Sequence, residues 1–342
     1  MRAVLVGATG AVGLEMLWIL EERNFPVDEL VPVASSRSAG RLLPFREQQV
    51  EVRALEPNVF EGADIALFDV PDEVALEWAP IATAAGATVV DNSAAFRLNP
   101  EVPLVVPEIN PEAVDQRPLG IIASPNCTTL TMVVPIAALH REARVERMVL
   151  ASYQAASGAG KGGIDDLWEQ TLDAGEAPDQ VTIGLARDVL EPGKTFPHPI
   201  SMNVIPRCGS VKEEGYTSEE TKLRDETRKI MSLPELKVTA TCVRVPVMVG
   251  HGVAVHAEFG RPISPEEARS ILENAPGVEV LDDPGADVYP TPLQAARRDP
   301  CFVGRIRQDL FDDHALEMFC VADNLRKGAA LNAVQVAELL TA

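Results

Sequence analysis

Short apolar runs and segments of helical spacing alternate over the first third of the chain. The runs fall at 3–6, 30–34, 64–68, 87–91 and 119–123, and their near-continuous apolar character is that of strands buried on both faces. Between the first two, Leu14, Leu17 and Trp18 share a helical face in a segment that reaches about Arg23. The alternation predicts an α/β fold whose N-terminal domain, residues 1–127, is a doubly wound (Rossmann-type) parallel sheet. Beyond it, β-type runs at 147–154 and 237–260 are interrupted by helical segments near 164–173 and 217–232. These predict a second, α+β domain over 128–324, built on a largely antiparallel sheet. The Pro- and Gly-containing stretch from about 174 to 210 reads as an ordered excursion across a partner or the active site. In the tail from Lys327 to Leu340, Ala330, Val334 and Leu339 fall at helical spacing. A C-terminal helix over about 325–342 is expected to join the first domain.

The first strand runs into Gly7-Ala8-Thr9-Gly10-Ala11-Val12-Gly13 and then a helix. A strand, a glycine-rich turn and a helix are the setting of a dinucleotide site. The glycines let backbone amides approach a pyrophosphate, which rests on the helix N-terminus. After the second strand comes Ser35-Ser36-Arg37-Ser38-Ala39-Gly40. A carboxylate here would favour the ribose 2′-hydroxyl of NAD. Hydroxyls and an arginine suit the 2′-phosphate of NADP instead; the other reading is a solvated polar loop.

Ser124-Pro125-Asn126-Cys127-Thr128-Thr129 sets one cysteine in a polar turn, before an apolar, helix-like run from Leu130 to Leu139. Unpaired N–H groups and the positive end of a helix dipole favour a thiolate there, and the same N–H groups can hold an oxyanion. The alternative is a buried structural cysteine. Composition narrows the field. Five scattered cysteines argue against a disulfide framework, and no Cys/His pair has zinc-ligand spacing, since His251 and His256 lie in a strand-like run. A formal net charge of −21 argues against nucleic acid or an anionic membrane as partner. It also means that an anionic substrate must depend on locally placed cations. With seven lysines, an acidic surface adapted to salt is an open reading. The N-terminus lacks a long apolar stretch, so a soluble cytoplasmic protein is expected.

Several further motifs appear in order: Asp91-Asn92-Ser93 with Phe96-Arg97, Pro107-Glu108, Tyr153-Gln154-Ala155-Ala156-Ser157-Gly158-Ala159-Gly160 and Asn203-Val204-Ile205-Pro206. Arg244-Val245-Pro246-Val247, Gly250-His251 and Asp323-Asn324-Leu325-Arg326-Lys327-Gly328-Ala329-Ala330 follow. With the Gly7–Gly13 turn and the Cys127 motif, this set resembles the aspartate-β-semialdehyde dehydrogenase family along nearly the whole chain. The resemblance implies NADPH-dependent reduction of L-aspartyl 4-phosphate to L-aspartate 4-semialdehyde and inorganic phosphate, through a cysteine thioester. It places that reaction in the biosynthesis of lysine, threonine, methionine and diaminopimelate, in a homodimer or homotetramer whose second domain is catalytic and dimerising.

Residue by residue, the resemblance makes Cys127 the nucleophile, His251 the acid/base and Gln154 the amide that orients the acyl group. A near-neutral imidazole can move protons in both directions. Arg244 would grip the substrate carboxylate with its planar fork, Arg97 and Lys222 would bind phosphate, and Asn126 would also contact the substrate. Glu219, three residues before Lys222 on one helical face, would take the substrate ammonium; alone, the two read as a surface ion pair. Gly7, Thr9, Gly10, Ala11, Val12, Ser36, Arg37, Ser38, Ser157, Gly158 and Asn324 would contact the cofactor. Asp69-Val70-Pro71-Asp72 departs from the family's small Ser/Gly-rich segment, and two carboxylates there would repel a pyrophosphate if they pointed inward. Gly252-Val253 replaces the polar residues often found after the histidine. N-acetyl-γ-glutamyl-phosphate reductase, with the same thioester logic, and a non-catalytic NADP-binding paralogue are the alternatives.

Overall fold

A computed structural model describes residues 1 to 341. Its contacts divide into two compact units. One comprises Met1–Asn126, Asp225–Pro234 and the segment from Arg326 onward; the other comprises Cys127–Arg224 and Glu235–Leu325.

In the first unit the chain runs through β1 (Arg2–Val6), α1 (Ala11–Glu22), β2 (Glu29–Ala34), β3 (Leu42–Phe45), β4 (Gln48–Glu51), β5 (Arg53–Ala54), β6 (Ile65–Phe68), α2 (Asp72–Ala84), β7 (Thr88–Asp91) and β8 (Ile121–Ala123). Six of these strands form one sheet in the order β5-β2-β1-β6-β7-β8, every neighbouring pair parallel. The strand order reverses at β1, which places the glycine turn at the carboxyl-end crevice where such sheets bind ligands. The strands are buried as expected, with Val4, Leu5 and Val6 no more than 1 % exposed.

The face of α1 differs from expectation. Its buried stripe is Gly13, Met16, Leu17 and Leu20, whereas Trp18 is 44 % exposed. The hairpin β3–β4 carries no glycine signal in the sequence. Its turn holds Arg46 at φ 54°, and the Arg46 guanidinium donates to the carbonyls of Phe25 and Val27. Side-chain anchoring thus supplies what a glycine usually would.

The second unit contains α3 (Cys127–Ala143), β9 (Val145–Gln154), α4 (Gly160–Glu176) and α5 (Pro178–Thr182). After these come the first half of α6 (Ser218–Ile230), β10 (Lys237–Arg244), β11 (His251–Phe259), α7 (Pro265–Glu273), β12 (Val278–Val280), α8 (Pro292–Ala295), β13 (Cys301–Gln308) and β14 (Ala315–Ala322). Its sheet has the order β10-β9-β11-β14-β13-β12. The pairs between β9, β11, β14 and β13 are antiparallel, while both edge pairs are parallel, so the sheet is mixed. α3 lies against β11, β13 and β14. The alternation along β11 buries His251, Val253, Val255, Ala257 and Phe259 and leaves Ala254, His256 and Glu258 half-buried on the other face.

The C-terminal segment, counted with the first unit, is a π-helical turn at Arg326–Ala330 followed by α9 (Leu331–Leu339). Ala342, within the expected 325–342 helix, lies outside the described residues. Leu331, Val334 and Val336 pack into the same core as Met16 and Leu20 of α1. No helix among the described residues is long and apolar enough to cross a membrane.

Candidate active site

Cys127 is the first residue of α3, at the positive end of that helix's dipole. Its Sγ lies 3.3 Å from Nε2 of His251, the first residue of β11. The opposite ring nitrogen, Nδ1, accepts the backbone N–H of Ala155 at 3.0 Å. A neutral imidazole carries one proton, and this bond assigns it to Nε2, facing the sulfur. His251 is fully buried. Burial and then the Arg244 guanidinium push its pKa down to about 3, against opposing pulls from Glu219 and the Gly250 backbone. The near-neutral value expected from sequence is therefore not that of the resting protein, because a buried imidazole beside an arginine resists a second charge.

Strand ends assemble the rest of this site. Parallel pairing sets Arg244 of β10 opposite Gln154 of β9, and β11 begins beside Tyr153. The Gln154 side chain is 1 % exposed; its Oε1 accepts Ser152 Oγ at 3.0 Å and its Nε2 donates to Glu219 Oε1 at 3.3 Å. Glu219 also pairs with Lys222 Nζ at 3.2 Å. A capping box starts α6, with Glu220 N–H donating to Thr217 Oγ1 and Thr217 N–H to Glu220 Oε2. Glu220 Oε1 accepts the Cys242 N–H of β10, which fixes the turn bearing Glu219 and Lys222.

Arg244 Nη1 donates to the Ala155 carbonyl at 2.7 Å, and the guanidinium lies 5.7 Å from the Phe196 ring centroid. Gly158 fits between this group and the histidine. A Cβ there would stand 2.7 Å from Arg244 Nη1 and 3.0 Å from His251 Nε2. Ser157 and Asn324 form a buried pair, with Asn324 Nδ2 donating to Ser157 Oγ at 2.9 Å and Asn324 Oδ1 accepting Gly250 N–H at 2.8 Å. Cys127, His251, Gln154, Glu219, Lys222, Arg244, Ser157, Gly158 and Asn324 thus all lie in the second unit.

In the first unit, Gly7 has φ 97°, and a Cβ on it would stand 2.1 Å from the Asp69 carbonyl oxygen. One on Gly13 would stand 2.2 Å from the Gly7 carbonyl oxygen. Only glycine fits at either position. Gly10 caps α1 without a side-chain hydrogen bond, and Thr9, Gly10, Ala11 and Val12 keep some exposure. The turn can therefore hold a pyrophosphate on backbone N–H groups. Ser36, Arg37 and Ser38 form a 3₁₀ turn just after β2, with Ser36 and Arg37 exposed and Ser38 half-buried, and Arg37 makes no ion pair with any of the described residues.

Of the two loop carboxylates, Asp72 accepts the Ala94 N–H. Asp69 does face the turn. Its Oδ2 lies 3.8 Å from the position of a Gly10 Cβ, and burial raises its pKa to about 6, with Asp91 adding to the effect and Asn92 and Arg97 opposing it.

Also in the first unit, the Arg97 guanidinium donates to the carbonyls of Ser124 and Asn92 and pairs with Glu226 at 3.1 Å. Glu226 Oε2 accepts the N–H of Asn126, the residue before Cys127, at 2.6 Å. Lys229 donates to the carbonyls of Arg97, Asn99 and Val102. Sequence reasoning missed Glu226 and Lys229. The signal was present, since Glu219, Lys222, Glu226 and Lys229 follow one another at spacings of three, four and three along one helix face.

A glycine-rich βα turn in one unit and a cysteine–histidine pair in the other fit one class: a dinucleotide-dependent oxidoreductase. Comparison with known proteins carries this further. Residues 2–117 match the semialdehyde dehydrogenase NAD-binding domain, and residues 136–327 match the semialdehyde dehydrogenase dimerisation domain. The aspartate-semialdehyde dehydrogenase of Aquifex aeolicus is 50 % identical over 99 % of this chain and 97 % of its own length. That of Streptomyces akiyoshiensis is 49 % identical over 100 % and 99 %. The crystal structure of aspartate-semialdehyde dehydrogenase II from Vibrio cholerae, complexed with ASA, superposes with a TM-score of 0.93 at 42 % identity, covering 99 % of this chain and 98 % of that one. The Candida albicans enzyme, crystallised with NADP, gives 0.74 at 27 %, covering 100 % and 98 %. The chain belongs to the aspartate-semialdehyde dehydrogenase family. This displaces both the N-acetyl-γ-glutamyl-phosphate reductase alternative and the non-catalytic one, and a nicotinamide cofactor is the dinucleotide.

Proposed function

We propose that the protein reduces L-aspartyl 4-phosphate to L-aspartate 4-semialdehyde with NADPH, releasing inorganic phosphate, through a thioester on Cys127. The observation that carries this reading is the 3.3 Å approach of Cys127 Sγ to His251 Nε2 at the start of α3. The thiolate attacks the acyl carbon, the new C–S bond forms, and the C–O bond to phosphate breaks with its electron pair leaving on phosphate. NADPH, when bound, supplies a hydride to the thioester carbon. The resulting thiohemiacetal collapses, breaking the C–S bond to release the aldehyde and restore the thiolate.

His251 Nε2–H donates first to the thiolate and then to the oxygen that gains charge at the acyl carbon. Arg244 holds the substrate carboxylate, Glu219 its ammonium, and Gln154 its acyl end. Lys222 and Arg97 receive phosphate. Asn126, held through Glu226, positions the nucleophile's N-terminal side. The Gly7–Val12 turn takes the pyrophosphate. Ser36, Arg37 and Ser38 take the 2′-phosphate, which supports NADP over NAD. Ser157, Gly158 and Asn324 line the nicotinamide end. We place the reaction in the biosynthesis of lysine, threonine, methionine and diaminopimelate. We propose a homodimer or homotetramer formed through the sheet face opposite α3, where Val149 and Tyr153 are 38 % and 43 % exposed.

Phosphate-dependent reduction of NADP⁺ and of NAD⁺, assayed with aspartate 4-semialdehyde and with N-acetylglutamate 5-semialdehyde, tests the reading. Turnover of the first aldehyde with NADP⁺, abolished in Cys127→Ala, is expected. Preference for the second aldehyde would overturn it.

A further inference from the structure

The second unit contains a cavity of ≈ 560 Å³ whose lining includes Lys194, Arg207 and Arg244 and no carboxylate. In a chain with 51 acidic against 30 basic residues, three cations around one cavity are a strong local exception. Lys194 and Arg207 are exposed, and neither forms an ion pair with any of the described residues. The cavity is also built. The Asp166 carboxylate accepts the N–H groups of Lys194, Thr195 and Phe196 at 3.1, 2.8 and 3.2 Å. A Cβ on Gly193 would stand 2.1 Å from that carboxylate, so only glycine fits the approach. On the other side Ile205 and Arg244 exchange both backbone hydrogen bonds, at 2.8 and 2.9 Å, which pins the strand end that leads to Arg207. Both loops are therefore tied down around Arg244.

We propose that Lys194 and Arg207 form an anion-capture site at the mouth of the Arg244 pocket, recognising small dianions and drawing them to the reactive centre. This rests on the functional reading above, in which Arg244 takes the substrate carboxylate. The long-range field of a protein of net charge −21 repels an anionic substrate. Screening confines that repulsion to within about 8 Å at physiological salt, so fixed cations at a pocket mouth govern the last part of the approach. Neither residue touches the reacting atoms. They act on capture, not on chemistry.

The test compares wild type, Lys194→Gln/Arg207→Gln, the charge-retaining Lys194→Arg/Arg207→Lys, and Lys212→Gln/Lys237→Gln, which removes the same charge outside the cavity. Kinetics with varied inorganic phosphate, largely a dianion just above neutral pH, at saturating aspartate 4-semialdehyde and NADP⁺ and at low and high ionic strength, are read beside the inhibition constant of succinate, an unreactive dianion. The neutralised pair should lose on the order of tenfold in kcat/KM at low ionic strength, with kcat unchanged, and bind succinate more weakly. Its salt dependence should flatten, the charge-retaining variant should behave as wild type, and the remote pair should show little effect. An active wild type whose neutralised cavity variant matches the remote control in both readouts would overturn the capture site. A wild type inactive on the semialdehyde would instead overturn the functional reading.

Discussion

His251 Nδ1 accepts the backbone N–H of Ala155 at 3.0 Å. The bond fixes which nitrogen faces Cys127 Sγ as a donor, and burial keeps the ring neutral, with its pKa pushed down to about 3. Two consequences follow for pH. The imidazole does not titrate in the folded protein between pH 5 and 8, so no limb of the kcat/KM profile belongs to it there. In the unfolded chain the ring titrates near 6.5, so its contribution to stability is complete above that value and is lost as pH falls toward 3. At pH 5 the loss is about 2 kcal/mol. His251→Gln should remove this pH dependence while lowering kcat on the order of 10²-fold. Urea midpoints at pH 7.5 and 5.0 for both proteins check it.

Asp69 has the opposite sign. Its carboxyl holds a proton more tightly folded, at about 6, than its ordinary value of 3.8. Stability is therefore lost as pH rises from about 4 through 6. Asp69→Asn should raise Tm at pH 7.5 more than at pH 4. It should also tighten NADPH binding at pH 7.5, since its charge faces the Gly10 turn. Equal Tm shifts at both pH values would contradict the assignment.

Among the five cysteines only Cys127 has partial exposure. Burial pushes Cys208 up to about 11 and raises Cys242 and Cys320 further. Iodoacetamide under native conditions should modify one thiol per chain, at Cys127, with activity lost in step. Peptide mass mapping reads the site directly.

Arg244 and Lys222 should give distinct kinetic signatures. A bidentate fork cannot be replaced by a point charge, so Arg244→Lys should lower kcat as well as affinity for the semialdehyde, the misplaced carbonyl accounting for the first. Lys222→Ala should chiefly raise the KM for inorganic phosphate. The reverse pattern would exchange the roles.

The parallel sheet was legible because its strands are apolar runs buried on both faces, and the glycine turn because Gly7 and Gly13 admit no Cβ. Elements set by tertiary contacts were not. The β3–β4 turn depends on Arg46 reaching the carbonyls of Phe25 and Val27. β13 carries a register shift between Gly304 and Arg307, with Arg305 at φ 55°, which breaks the period-two pattern that reveals a strand. The outward position of Trp18 follows from a stripe at Gly13, Met16, Leu17 and Leu20 that competes with the one through Leu14, Leu17 and Trp18. In the site, residue types and order pointed to Cys127, His251 and Arg244. The imidazole's depressed pKa depends on burial and on a guanidinium brought close by strand pairing, and Glu226 reaches Asn126 across 100 positions of chain. Neither relation exists at the level of local pattern.

The central claim is the thioester. Wild-type protein mixed with L-aspartyl 4-phosphate in the absence of cofactor, quenched in acid and digested, should show an aspartyl adduct on the peptide containing Cys127. The adduct should approach one per chain and disappear when NADPH is added before the quench. An enzyme that turns over with NADPH yet carries the acyl group on another residue, or a Cys127→Ala variant that keeps its turnover, would contradict the account.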